Sequence, residues 1–551
     1  MITGSYNSDV ASETSLAQMG IWIDQCHSFH RDCWSVGQRF MPRRLLHIEC
    51  ATGRTKVRLI EDHQGRHAYW AALSYVWGGD QRLKTTLGSI ANMKAGFGVE
   101  LLPQTLQDAV TVCRSLSLEY LWVDALCIIQ DDPNDLVREL ASMPLIYTEA
   151  WVTISASTAT NVSEGFLQQR CYSHTGTPIS LPYLAEDGLG TGEVVFVMDP
   201  CNVPIMRDEP INERAWTYQE RRLSPRILDF KYNKVVLYCY TDKRCQGDGS
   251  SLSWSQSEMD QEYRLYRPCP SGHSLLGWHG IVDEYATRML RFPSDKLLAL
   301  SALADLHGRR TGHTYLAGLW KESLIEDLCW CNGSKKLLPR PTEYRAPSWS
   351  WSAIDISRPT SVDDHNIYHL VKNFSKNSRT EILESVVEQE PPDTTFGKIH
   401  AGFLKLQAPV LRAKWKYRGD GVAIMNLGGS ISAKVFQDAK EVRWSDGELV
   451  QVLAVLVLQK KEPNEEEERL ERRRKRELRS WQDYIDRRDV PLVKLKGKKT
   501  RGKVTHRGLM LVEDPPGTYR RIGLFEWRMN RDDGRHRRLY ARFRVRRITI
   551  V

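Results

Sequence analysis

The sequence predicts an α/β fold: a mainly parallel sheet towards the N-terminal end, then a helical extension, then a β-rich C-terminal region. Three observations predict it. The apolar runs Trp70–Gly78, Tyr120–Gln130 and Trp151–Ser157 have the length and near-continuous hydrophobicity of strands covered on both faces. The stretches between them carry apolar residues at three- and four-residue steps, as helices do. From Asp355 onward the text turns strand-like and rich in turn residues. Alternating strands and helices with short connections argue for parallel pairing. The predicted organisation is an N-terminal segment at 1–65, an α/β domain at 66–222, a helical extension at 223–355, and a β-rich region at 356–551 with a charged helical insertion at 462–488.

Taken in order, Ile21–Cys33 reads as a short helix and Met41–Glu49 as an extended piece. Cys26, His27, His30 and Cys33 invite a zinc reading. Their spacing is not that of a common zinc site and no second cysteine pair follows at finger distance, so helix packing is the expectation and no metal is assigned. Gly78 and Gly79 end the first strand, residues 71–76. Pro103 opens a helix over 104–118, whose apolar face is Leu106, Ala109, Val110, Cys113 and Leu116. The second strand is 121–129. Asp132-Pro133 starts a helix over 133–147 with the stripe Leu136, Leu140, Met143 and Tyr147, which Pro144 should kink or split. The third strand is 151–156.

Composition limits the classes of function. Of 551 residues, 41% are hydrophobic and 26% charged, which is globular composition and excludes wholesale disorder. The longest apolar run, Leu449–Leu458, interrupted only by Gln451, suits a buried strand and is too short to span a membrane. The first residues lack a secretory pattern, and the 12 Cys are scattered as in a reducing compartment, so an intracellular, cytoplasmic protein with no membrane association is expected. Residues 490–551 hold 18 Lys and Arg against 5 Asp and Glu, a net +13, so the rest of the chain carries −4 of the total +9. A solvated basic face is the expectation there, and nucleic-acid binding is not. Gly497–Lys503 has P-loop spacing, but Val504 stands where a magnesium-holding hydroxyl is needed. GxGxxG, HExxH and GxSxG do not occur.

Several residues could carry chemistry. Glu139 lies about 70° from the centre of its helix's apolar stripe, a border position that desolvates a carboxylate and raises its pKa. A solvated ion pair is the plainer role. Asp124 sits inside an apolar run and needs a partner such as Arg214 or Arg221, either in a site or as a structural hub. Ser74, Tyr75, Trp77 and Gly78 end the first strand. Trp77 could stack on a base and the glycines could admit a phosphate, whereas core packing also accounts for Tyr75 and Trp77. Asp124 and Glu139 are both expected at a cleft by the carboxyl end of strand 121–129, near Ser74 to Gly78.

Five ordered segments resemble the fungal HET (heterokaryon incompatibility) domain: Ala71–Gly78 (AALSYVWG), Leu102–Ala109 (LPQTLQDA), Leu121–Asp131 (LWVDALCIIQD), the helix positions Glu139, Met143, Ile146, Tyr147 and Ala150, and Asn212–Glu220 (NERAWTYQE). Asp295–Ala304, Ala346–Trp351 and Tyr519–Phe525 resemble segments found after that domain. The resemblance implies fungal non-self recognition, in which such proteins trigger growth arrest or cell death, and a TIR-like (flavodoxin-like) core. Through the TIR analogy it implies NAD as a possible substrate, with Glu139 as the catalytic candidate and no cofactor held permanently; Asp124 is then the second catalytic candidate, and Ser74, Tyr75, Trp77, Gly78 and Arg214 are the candidates for binding NAD. Leu136 stands where the TIR motif has an aromatic. The resemblance equally implies a non-enzymatic module working by homotypic assembly, with a homo-oligomer and an incompatibility protein as partners.

Overall fold

In a computed structural model, the described residues are 9–33, 40–51, 53–61, 68–169, 179–184, 191–196, 209–232, 234–246, 277–334, 336–357, 367, 374–390, 396, 398–417, 422–428, 431–461, 503–530 and 533–551. The chain divides into two units, 1–277 with 288–291, and 278–287 with 292–551.

The first unit begins with helix α1 (Glu13–Phe29). Ser12 caps it by accepting from the Ser15 amide, and Met19, Trp22, Ile23 and Cys26 form its buried side. Strands β1 (Leu45–Ala51) and β2 (Arg54–Ile60) make a hairpin, followed by β3 (Trp70–Ser74), a short helix α2 (Ile90–Ala95) and β4 (Phe97–Gly98). Then come α3 (Gln104–Ser115), β5 (Tyr120–Trp122), the single turn α4 (Asp124–Cys127), α5 (Pro133–Glu149) and β6 (Val152–Ser155). A separate hairpin, β7 (Ile179–Leu184) and β8 (Thr191–Phe196), precedes α6 (Trp216–Leu223), β9 (Arg226–Phe230), β10 (Val235–Cys239) and β11 (Lys243–Cys245).

One nine-stranded sheet runs β11-β10-β9-β6-β3-β5-β1-β2-β4. The inner pairs β3–β5, β3–β6 and β6–β9 are parallel, and the flanking pairs are antiparallel. The three expected strands are therefore neighbours in a parallel arrangement, with β3 in the middle. The chain leaves β3 for β5 on one side and returns to β6 on the other. The β3/β6 boundary is thus a topological switch point, where open α/β sheets take ligands beyond the carboxyl ends of their strands. Residues 226–245, expected within a helical extension, form three strands of this sheet.

Local chemistry explains the helices. Asp132 accepts from the amides of Asn134 and Asp135, and Pro133 fills the first position of α5, where a missing N–H costs nothing. Pro144, expected to kink or split this helix, does not split it: α5 runs on to Glu149. Leu106, Ala109, Val110 and Cys113 enter the core with Leu73, Leu121 and Ile154, as their spacing predicted. Leu116 is only partly buried at the helix end.

The second unit is β-rich. Its strand pairings run in a closed circuit: 449–461, 503–513, 519–530, 431–437, 422–428, 398–416 and back to 449–461. Leu411, Trp415, Met425, Val435, Val452, Phe525 and Trp527 fill its interior. The three segments noted beyond the main resemblance lie in this unit's interior. Arg521 is fully buried, pairs with Asp438 at 3.0 Å, stacks over Trp330 and donates to the Leu328 and Trp330 carbonyls. Lys296 donates to the Ile354 carbonyl at 2.7 Å behind the buried Trp351. The charged insertion at 462–488 falls outside the described residues. No helix among the described residues is long and apolar enough to cross a membrane.

Candidate functional site

Two loops leave the carboxyl ends of β3 and β5 and meet. Val123 is extended, and the chain then turns into α4 with Asp124 as its first residue. Asp124 therefore does not lie within a strand, as its apolar surroundings suggested, but just beyond one. The β3 loop locks this turn: the Thr85 amide and hydroxyl donate to the carbonyls of Ala125 and Leu126 at 3.0 and 2.6 Å.

Asp124 is half-buried. Its Oδ2 accepts from the Trp77 indole at 2.8 Å, and its Oδ1 from the Ala125 amide at 2.7 Å. Desolvation pushes its pKa up, opposed by the charge of Arg214 and by these donors together with the Tyr75 hydroxyl. Of the two partners expected for Asp124, Arg214 serves it. Arg221 is taken instead by Asp229, at 2.6 Å, with Ser155 at 2.7 Å. Burial would raise Asp229, but Arg221 and Lys231 hold it below its usual range.

The guanidinium of Arg214 also donates to the Tyr75 carbonyl. Its backbone is fixed by a bridge to Met289, with the Ala215 amide donating to the Met289 carbonyl at 2.9 Å. Tyr75 is buried, and its hydroxyl accepts from Gln81 at 2.7 Å. Below it, the Ser74 hydroxyl donates to Glu220 at 2.5 Å, and Tyr147 shares the same carboxyl. Burial raises Glu220 to about 7 against the pull of Arg214. Ser74, Tyr75, Trp77, Asp124 and Arg214 are thus brought together. Glu220, which the sequence offered only as part of a closing motif, completes the cluster as a second carboxyl of raised pKa.

Two expected members stand differently. Glu139 is buried, where a border position was expected, and is bound to Arg44 at 3.2 Å. Arg44 is wholly buried, also pairs with Asp135, and donates to the Cys127 carbonyl at 2.6 Å. Desolvation raises Glu139, offset by Arg44. Among the described residues Glu139 pairs with Arg44, and Asp124 bonds to Trp77 and Ala125, two sets of hydrogen-bonding partners with no member in common. Gly78 has φ +74, and a Cβ there would fall 2.0 Å from that of Asn161. The space beside Gly78 is filled by its own chain, which leaves no room at that face for a phosphate. Gly79, by contrast, faces open space.

Residues 70–220 match the model of the family described as heterokaryon incompatibility protein (HET). The chain carries a HET domain. No curated protein and no solved structure matches the chain. The HET match begins at β3 and closes within α6, so it contains every member of the Asp124 cluster. It excludes Arg44, the cation on which Glu139 depends, and the strands β1, β2 and β9 to β11. The HET domain implies a role in heterokaryon incompatibility.

Proposed function

We propose that the HET domain acts as the effector of a cell-death response in fungal allorecognition, through the cluster Ser74, Tyr75, Trp77, Asp124, Arg214 and Glu220. The reading extends to a TIR-like core and to cleavage of NAD. The order β5-β3-β6-β9 supports the first, since the four strands of the parallel core follow the flavodoxin-like order 2-1-3-4 when numbered among themselves. The single observation that carries the second is Asp124, a half-buried carboxylate just beyond the carboxyl end of β5 and bonded to the β3 loop, with a raised pKa and the charge of Arg214 acting on it.

In the proposed reaction water adds to C1′ of the ribose, and the C1′–N bond breaks. Nicotinamide leaves with the bonding pair, and one proton is released. Asp124 would stabilise the cationic ribosyl centre, and Trp77 would offer an aromatic edge to the base. Glu139 serves the fold in this reading, because its charge is spent on Arg44.

The test is expression of the full chain and of Asp124→Asn in cells, with NAD followed over time beside viability. Loss of both NAD depletion and killing in a folded Asp124→Asn protein is expected. Killing retained without NAD loss would overturn the catalytic reading in favour of homotypic assembly.

A further inference from the structure

Outside the HET match, on both sides of it in sequence, four residues converge. Cys26 lies in the last turn of α1, and His30 follows the helix end, its amide donating to the Cys26 carbonyl at 3.0 Å. Cys33 sits in the next turn, its amide donating to the His30 carbonyl at 3.0 Å. The chain so folded turns both thiols and the imidazole to one point. Cys239, the last residue of β10, arrives there from the far side of the sequence. The Sγ atoms of Cys26, Cys33 and Cys239 and a ring nitrogen of His30 all lie within 4.8 Å of one another. His30 Nδ1 is 3.4 Å from Cys239 Sγ.

We propose that Cys26, His30, Cys33 and Cys239 form a structural zinc site that fastens α1 to the edge of the sheet. Tetrahedral zinc with sulfur at about 2.3 Å and nitrogen at about 2.0 Å requires ligand atoms roughly 3.5–3.8 Å apart, the scale of this cluster. Three thiolates and an imidazole are a donor set for zinc and for no hard cation. Four protein ligands close the coordination shell, so the metal here holds structure and has no open position for a substrate.

A second feature points the same way. Arg226, on β9, is buried, and no carboxylate among the described residues lies within ion-pairing distance of it. Its Nε donates to Cys26 Sγ at 3.2 Å, and its terminal nitrogens donate to the Cys33 and Trp151 carbonyls at 2.9 and 3.2 Å. A buried cation without a counter-charge is costly. Zinc held by three thiolates carries one net negative charge, and Arg226 stands where it neutralises that charge. The Asp242 amide donates to Cys239 Sγ at 3.1 Å, an N–H···S bond of the kind that supports a metal-bound thiolate. The sequence spacing hid the site because its fourth ligand comes from the β10–β11 hairpin.

The test is metal analysis of the full chain purified under reducing conditions with zinc present. About one zinc per chain is expected, falling at least tenfold in Cys239→Ser and Cys33→Ser and unchanged in His27→Ala. Should the cysteine variants fail to fold, cobalt titration of the unaltered protein decides. Visible bands of tetrahedral cobalt with thiolate charge transfer are expected. Zinc content no higher than in Cys239→Ser together with a featureless cobalt spectrum would overturn the proposal. So would a disulfide between any two of Cys26, Cys33 and Cys239, located by mass spectrometry of unreduced peptides.

Discussion

Trp77 donates its indole N–H to Asp124 across 2.8 Å, and this bond ties the loop after β3 to the turn after β5. Both ends matter. The indole is half-buried against the core, so its N–H needs an acceptor, and the carboxylate is desolvated, so it needs donors.

Trp77→Phe keeps the ring and removes the donor. Asp124 then retains fewer donors in the same desolvated place. A loss of about 1–3 kcal/mol in denaturant unfolding is expected, with a further rise in the Asp124 pKa. An unchanged midpoint would show that water replaces the indole at no cost.

Arg44→Met should be among the most damaging single changes in the first unit. It leaves Asp135 and Glu139 buried without their shared cation, a loss of about 3–5 kcal/mol. Glu139→Gln should cost less, since Asp135 still pairs with Arg44. Urea unfolding of the two variants side by side checks the order, and a Glu139→Gln protein weaker than Arg44→Met would reverse it.

Glu220 titrates in the folded protein at about 7, raised by burial from its ordinary 4.5. Between these values the folded state holds more protons than the unfolded one. This group's contribution therefore falls as pH climbs from about 4.5 to about 7 and is level beyond, by roughly 3 kcal/mol in all. Glu220→Gln should remove that slope and be the more stable protein at pH 8. A stability profile with the same slope in both proteins would refute the assignment.

Gly78→Ala and Gly79→Ala separate crowding from backbone strain. Both positions have positive φ, but only Gly78 is packed against Asn161. Gly78→Ala should cost about 3 kcal/mol or more, and Gly79→Ala about 1–2. Equal losses on thermal unfolding would mean that the Asn161 contact yields freely.

The inner strands and both long helices of the HET domain were legible in the sequence, because apolar runs and three-to-four spacing mark elements buried on one or two faces. The stretch Tyr120–Gln130 shows where such reasoning stops. A continuous apolar run looks alike as a strand or as a strand followed by a buried helical turn, so Asp124 was placed inside a strand that ends at Trp122. Glu139 was misplaced for another reason. Its partner Arg44 stands just before β1, and no local pattern announces a contact between that residue and α5. Glu220 was visible as a residue, but its raised pKa comes from burial, against the pull of Arg214, Ser74 and Tyr147, and only the fold brings that burial about.

The family match stops at both ends inside a continuous sheet. Strand β5 is zipped to β1 before the match begins, and β6 is zipped to β9 after it ends. A fragment trimmed to residues 70–220 would bare the backbone of both strands, and such raw margins recruit any chain that can add a strand. Filaments or clusters grown from that fragment would then report adhesive cut edges and not a signalling assembly. Experiments on self-association therefore call for the chain from α1 through β11, whose own strands already cover those margins.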